Sequence, residues 1–142
     1  MREEREEREE LILDLSAGFR QLFRMFQTEV NELFTKYMPY NEFVVLRVLK
    51  AKSPQMASQI AYEVDVTSSH ITAVTDRLVK KGYMTRKRSD SDRRIVYLEI
   101  TEQGREVAGK LEELRLQYYK EKFAHLSEEE MKIMITLCQS IQ

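Results

Sequence analysis

Between Gly82 and Thr101 the hydrophobic period of this chain drops from three or four residues to two, and on both sides of that stretch it is helical. Residues 84–88 can run extended, Ser89-Asp90-Ser91-Asp92 is rich in turn formers, and Val96, Leu98 and Ile100 alternate with Ile95, Tyr97 and Glu99. This pattern describes one small β-hairpin with a basic tip inside an otherwise helical chain. Four Gly and two Pro in 142 residues are too few chain breaks for a sandwich or barrel, which needs a turn roughly every dozen residues. The fold class expected is therefore mainly α with a hairpin. A chain of this length buries roughly two-thirds of its unfolded surface, enough for a core without staples. Its one cysteine, Cys138, has no internal partner, and residues 1–10 are charged where a signal peptide is apolar. No apolar run approaches about 18 residues, so a cytoplasmic protein with no membrane partner is expected.

The helical stretches can be read from their apolar spacing and their caps. Leu11, Leu15, Phe19, Leu22, Phe23, Phe26, Val30, Leu33, Phe34 and Tyr37 fall three or four apart, a longer stripe than a globule of this size needs, which predicts packing on a second subunit. Pro39 is expected to end this helix. A helix over residues 40–50 follows, with Phe43, Leu46 and Val45 or Leu49 facing inward. Ser53-Pro54 reads as the cap and first residue of the next helix, which carries Met56, Ala57, Ile60 and Ala61 through Glu63. Val64-Asp65-Val66 breaks the pattern, Thr67 caps a helix buried through Ile71, Val74 and Leu78, and Gly82 stops it. Thr101 caps a helix carried by Val107, Leu111, Leu114 and Tyr118. Ser127 with Glu130 forms a capping box before Met131, Met134, Leu137, Cys138 and Ile141. In phase with that stripe, Cys138 reads as a buried, inert core residue. The threefold Arg-Glu-Glu repeat at the start reads as a helix fraying into solvent, with Glu4–Arg8 as its i,i+4 pair. The alternative is an acidic arm that keeps the protein off non-specific DNA.

The net charge of −1 hides a segregation. Residues 1–35 carry −4 and residues 101–142 carry −2, whereas residues 77–94 hold eight basic residues against Asp90 and Asp92, a local +6. Such an island is the footprint of a polyanion site or, equally on charge alone, a solvated surface. It directly follows two short helices joined by a tight turn. The second of these presents Thr67, Ser68, Ser69, His70, Thr72, Ala73 and Arg77 away from its buried stripe. Small hydroxyl side chains at a helix N-terminus suit entry into the major groove of double-stranded DNA. They also simply start helices well, and the basic hairpin is what weakens that plainer reading.

The run Ile60-Ala61 through Thr67-Ser68-Ser69-His70-Ile71-Thr72-Ala73-Val74-Thr75-Asp76-Arg77-Leu78-Val79-Lys80-Lys81-Gly82-Tyr83 resembles the MarR family of bacterial transcription regulators. Asp92-Arg93-Arg94, Leu98-Glu99-Ile100-Thr101-Glu102-Gln103-Gly104 and the earlier Asn41-Glu42-Phe43 extend the likeness to residues 10–142. The resemblance implies a winged helix–turn–helix with intertwined N- and C-terminal dimerisation helices. Residues 1–38 and 101–142 would form the dimerisation region and 39–100 the DNA-binding region, in a single folded unit. It implies a homodimer, most simply a repressor, on a pseudo-palindromic operator. Arg94 matches the wing arginine that enters the minor groove and Asp92 the carboxylate that orients it. Arg86, Lys87, Arg88 and Arg93 would contact phosphates, and Arg77 and Lys80 would do the same or pair with an acid such as Asp76. A small aromatic effector is also implied, in a crevice for which Phe19, Phe23, Phe26, Met38, Tyr40 and Phe43 are candidates. The reading favoured for each of these is an ordinary core or dimer-interface residue. The chain departs from the family at Asp65, where many members have Gly, and it lacks the first-helix cysteine of the family's peroxide sensors.

Other chemistry has little to stand on. His70 and His125 are the only histidines, no Gly-rich phosphate loop is present, and neither a metal nor a triad spacing exists. An enzyme is not expected, nor is a cofactor. The rival is a dimeric winged-helix module that binds protein without specific DNA binding.

Overall fold

The computed structural model describes all 142 residues. Six helices and three short strands follow one another: α1 (Arg2–Phe34), α2 (Tyr40–Ala51), β1 (Gln55–Met56), α3 (Ala57–Glu63), α4 (Ser68–Lys80), β2 (Met84–Arg88), β3 (Val96–Ile100), α5 (Glu102–Lys122) and α6 (Glu128–Ile141). The winged helix–turn–helix expected from the sequence is present. Its core is built around α2, whose Phe43, Val45, Leu46, Val48 and Leu49 are buried together with Ile60, Ile71, Val74, Leu78, Leu98 and Leu111.

The caps explain where the elements begin and turn. The Thr67 hydroxyl accepts from the His70 N–H (3.2 Å) at the start of α4. Asp65 adopts φ 55° in the turn before it, and Gly82 takes φ 81° after it. Asp accepts the left-handed conformation better than most residues, so the missing glycine at position 65 leaves the turn intact. The Thr101 hydroxyl accepts from the Gly104 N–H (3.0 Å) and donates to the Gly82 carbonyl (2.7 Å), tying the start of α5 to the end of the α4 turn. Ser127 and Glu130 cap α6 reciprocally.

Four local expectations are corrected. Ser53-Pro54 does not open a helix. The Ser53 hydroxyl accepts from the Ile100 N–H (3.0 Å), and Gln55 and Met56 pair with Leu98 and Tyr97 as an antiparallel third strand, giving the sheet order β1-β3-β2. The helix then starts at Ala57, with the Gln59 side chain accepting from the Met56 N–H (2.9 Å). Pro39 does not stop α1; it stands at the N-cap of α2, and α1 closes at Phe34, whose carbonyl accepts from both Tyr37 and Met38 N–H groups. The Arg-Glu-Glu repeat is helical from Arg2, but its ion pairs are Arg2–Glu6 (3.9 Å) and Arg5–Glu9 (3.4 Å). Glu4 turns to the Met1 amino group (3.8 Å) and leaves Arg8 unpaired.

Cys138 is the fourth correction, because it is exposed. The apolar stripe of α6 is in phase as read, yet no residue of this helix is buried by its own chain. Along α1, a helix roughly 50 Å long, only Val30 and Phe34 are buried. Leu11, Leu15, Phe19, Leu22, Phe23, Ile133, Met134, Leu137 and Ile141 all stand open. No helix is long and apolar enough to cross a membrane.

Candidate nucleic-acid interface

Helix α4 buries Ile71, Val74, Thr75 and Leu78 and so turns the opposite face outward. Ser68, Ser69, Thr72, Ala73, Arg77 and Lys80 are exposed on that face. Its N-terminal part is uncharged and small, its C-terminal part cationic. The Thr72 hydroxyl donates to the Ser68 carbonyl (2.9 Å), which leaves its oxygen free to accept. His70 is placed differently from its neighbours. It is half-buried and lines a recess of about 880 Å³ with Gln27, Asn31 and Thr35 of the α1 end and Tyr40 and Val44 of α2.

The wing follows α4 directly. Strands β2 and β3 pair from Met84↔Ile100 to Arg88↔Val96. The Ser89 hydroxyl accepts from the Ser91 and Asp92 N–H groups (both 3.3 Å), and the Asp92 carbonyl accepts from Ile95 (3.0 Å). Asp92 then meets Arg94 three times: Oδ1 accepts from the backbone N–H (3.0 Å) and from Nε (3.2 Å), and Oδ2 accepts from a terminal guanidinium nitrogen (3.3 Å). The Arg94 side-chain bonds, followed by the backbone one, hold the Asp92 carboxyl below the usual aspartate range. A forked guanidinium is therefore fixed at the wing while its side chain stays 91% exposed.

The basic island divides in two. Lys80, Lys87, Arg88 and Arg93 form no ion pair, although Arg88 donates to the Arg93 carbonyl (3.1 Å). The other four are held by carboxylates. Arg94 is on Asp92; Arg86 donates to Asp76 (2.6 Å) and to the buried Thr75 hydroxyl (3.2 Å), joining the wing to α4. Arg77 and Lys81 both reach Glu42 of α2, at 2.9 and 2.6 Å. The sequence offers Asp76 as the acid beside Arg77, whereas the acid that Arg77 reaches is Glu42. The two are 35 positions apart, and no local spacing signals such a pair.

The six effector candidates do not come together. Phe23, Phe26 and Tyr40 line a second recess of about 280 Å³ with Gln27, Val30, Asn31 and Tyr119. Met38 and Phe43 are closed in the core, where Phe43 stacks edge-on against Phe34. Phe19 lies on the open stripe of α1 and lines neither recess.

Comparison with known proteins agrees with this architecture. The family model described as "MarR family" matches residues 38–96. A curated relative, the uncharacterized HTH-type transcriptional regulator YpoP of Bacillus subtilis, is 36% identical over 130 residues, covering 92% of both chains. The crystal structure of the YusO protein from Bacillus subtilis superposes with a TM-score of 0.77 at 26% identity, over 94% of this chain and 95% of that one. Streptococcus pneumoniae FabT, solved in complex with DNA, gives a TM-score of 0.75 at 24% identity, over 89% of this chain and 92% of that one.

Proposed function

The chain belongs to the MarR family of helix–turn–helix transcriptional regulators, and from that premise we propose that it binds double-stranded DNA sequence-specifically as a homodimer. Helix α4 enters the major groove with Ser68, Ser69, Thr72 and Ala73 toward base edges. Arg94 enters the adjacent minor groove, whose narrow A·T-rich segments concentrate negative potential. Lys80, Lys87, Arg88 and Arg93 neutralise phosphates and contribute the salt-dependent, sequence-blind part of the affinity. The observation that carries this reading is the Asp92–Arg94 clamp, an exposed guanidinium held in one orientation beside a small, uncharged helix face.

The open apolar faces of α1 and α6 support the homodimer, since a chain that leaves so many large side chains uncovered has an interface to fill. Two-fold symmetry then calls for a pseudo-palindromic operator with half-sites about 34–36 Å apart. Repression follows from occupancy of such an operator. The recess between the end of α1, α2 and His70 is where a small molecule would bear on the position of α4 and release the DNA. Enrichment of bound duplexes from random-sequence DNA, followed by titration of the enriched duplex, tests the reading. Arg94→Ala is expected to weaken that duplex by about 1–3 kcal/mol with an unchanged unfolding midpoint. Equal affinity would reject the wing assignment, and failure to enrich any duplex would reject DNA binding in favour of a protein-binding module.

A further inference from the structure

Glu42 is completely buried, yet it belongs to neither the exposed face of α4 nor the wing. A lone carboxylate does not persist in an apolar core unless it is paired and hydrogen-bonded. Here each oxygen has its own cation: Oε1 accepts from Arg77 Nε (2.9 Å) and Oε2 from Lys81 Nζ (2.6 Å). Arg77 and Lys81 lie one turn apart on α4 and its C-cap, so both point the same way. Glu42 sits in the first turn of α2, and the two cations sit at the end of α4. Each group is thus at the helix terminus whose dipole favours its charge.

The pair uses Arg77 in a particular way. Only Nε is bonded to protein; the two terminal guanidinium nitrogens form no hydrogen bond, and the side chain remains 47% exposed. We propose that Glu42 is a positioning residue for DNA binding, holding the Arg77 guanidinium by Nε so that its two terminal nitrogens meet a backbone phosphate already oriented. An unheld arginine carries a large rotamer entropy into that contact, and a planar fork fixed in advance loses less. A phosphate bound this way extends a chain of charge from the core carboxylate through the guanidinium to the DNA backbone. The inference rests on the DNA-binding reading above and adds to it a buried residue that touches no DNA.

The test uses the full chain, the duplex it enriches from random-sequence DNA, and an unrelated duplex of the same length. Glu42→Gln keeps the shape of the side chain and removes its charge. Glu42→Gln and Arg77→Ala are each expected to lower affinity for the enriched duplex by about tenfold and to reduce the slope of log K against log salt by about 0.9 for each protomer, about 1.8 for the homodimer. The double variant should be no weaker than either single one. Arg77→Lys keeps the ion pair and removes the free nitrogens, and it should show the same loss; it decides the matter should Glu42→Gln not fold. A folded Glu42→Gln with wild-type affinity and salt slope would overturn the inference, as would losses that multiply in the double variant or wild-type binding by Arg77→Lys. Absence of salt-dependent duplex binding by the wild type would overturn the DNA reading itself, a result distinct from these.

Discussion

Replacing Gly104 by alanine is expected to destabilise the protein although it adds a better helix former. In an ordinary helix the exchange would gain at most about 1 kcal/mol. Here a Cβ on residue 104 would lie 2.1 Å from the Tyr83 carbonyl oxygen and 2.9 Å from Ile100 Cγ1. Neither neighbour is a flexible side-chain end. The Tyr83 carbonyl is fixed by the Thr101 N–H (3.1 Å), and the Gly82 carbonyl next to it by the Thr101 hydroxyl (2.7 Å). Relief requires a retreat of about 1.3 Å or more to reach ordinary contact, which takes the Thr101–Tyr83 bond outside hydrogen-bonding range. A lost hydrogen bond of about 1 kcal/mol and an overpacking cost of about 1–3 kcal/mol, less the helix gain, leave a net loss of about 1–3 kcal/mol. For a chain of this length that is a fall of roughly 3–10 °C in Tm. Urea and thermal unfolding followed by far-UV circular dichroism would measure it, at one protein concentration because association shifts the midpoint. A Gly104→Ala variant as stable as the wild type, or more so, would refute the close approach of α5 to the α4–β2 turn.

Other consequences follow from the charged groups and the open faces. Because Arg94 holds the Asp92 carboxyl below its usual range, its contribution to stability is present above the unfolded aspartate pKa and is lost only as pH falls through the lowered folded value; the carboxyl midpoint followed by NMR should rise in Arg94→Ala. Glu29 of α1 behaves alike: the Tyr118 hydroxyl, then Lys122, lowers its carboxyl, while burial and then Glu29 push the Tyr118 phenol up. Tyr118→Phe should therefore raise the Glu29 midpoint, so that the tie between α1 and α5 fails at a higher pH on acidification, and an unmoved midpoint would remove the phenol from the account. Leu137→Glu places a charge on the open stripe of α6 and should convert a sedimenting dimer into a monomer, with Cys138 reacting faster with a thiol reagent in the variant. A variant that remains dimeric would move the interface elsewhere.

How much could be read in advance depended on how local the cause was. The change of hydrophobic period located the wing, and Thr67, Gly82, Thr101 and Ser127 marked element ends, because caps and turns act within four residues. Ser53-Pro54 misled for a related reason. Its signal was local, but the Ser53 hydroxyl was claimed by Ile100, 47 positions away. Strand β1 has only two residues, and its partner on β3 lies more than 40 positions on, so no alternation could reveal it. Cys138 was correctly phased with its stripe; the stripe itself has no cover within one chain. In the candidate interface, Asp92 and Arg94 were legible because they are two positions apart. Glu42 was not, since a single acid in an amphipathic helix looks solvated until the fold sets it against Arg77 and Lys81.

The central claim, that a chain of net charge −1 carries a segregated DNA-binding surface, is tested most directly by the salt dependence of duplex binding. With Lys80, Lys87, Arg88 and Arg93 free in each protomer of a homodimer, and Arg94 clamped beside them, affinity for an enriched duplex should fall by about 10³–10⁵ between 50 and 200 mM salt. Affinity that does not change over that interval, or no duplex binding at either salt concentration, would contradict the claim.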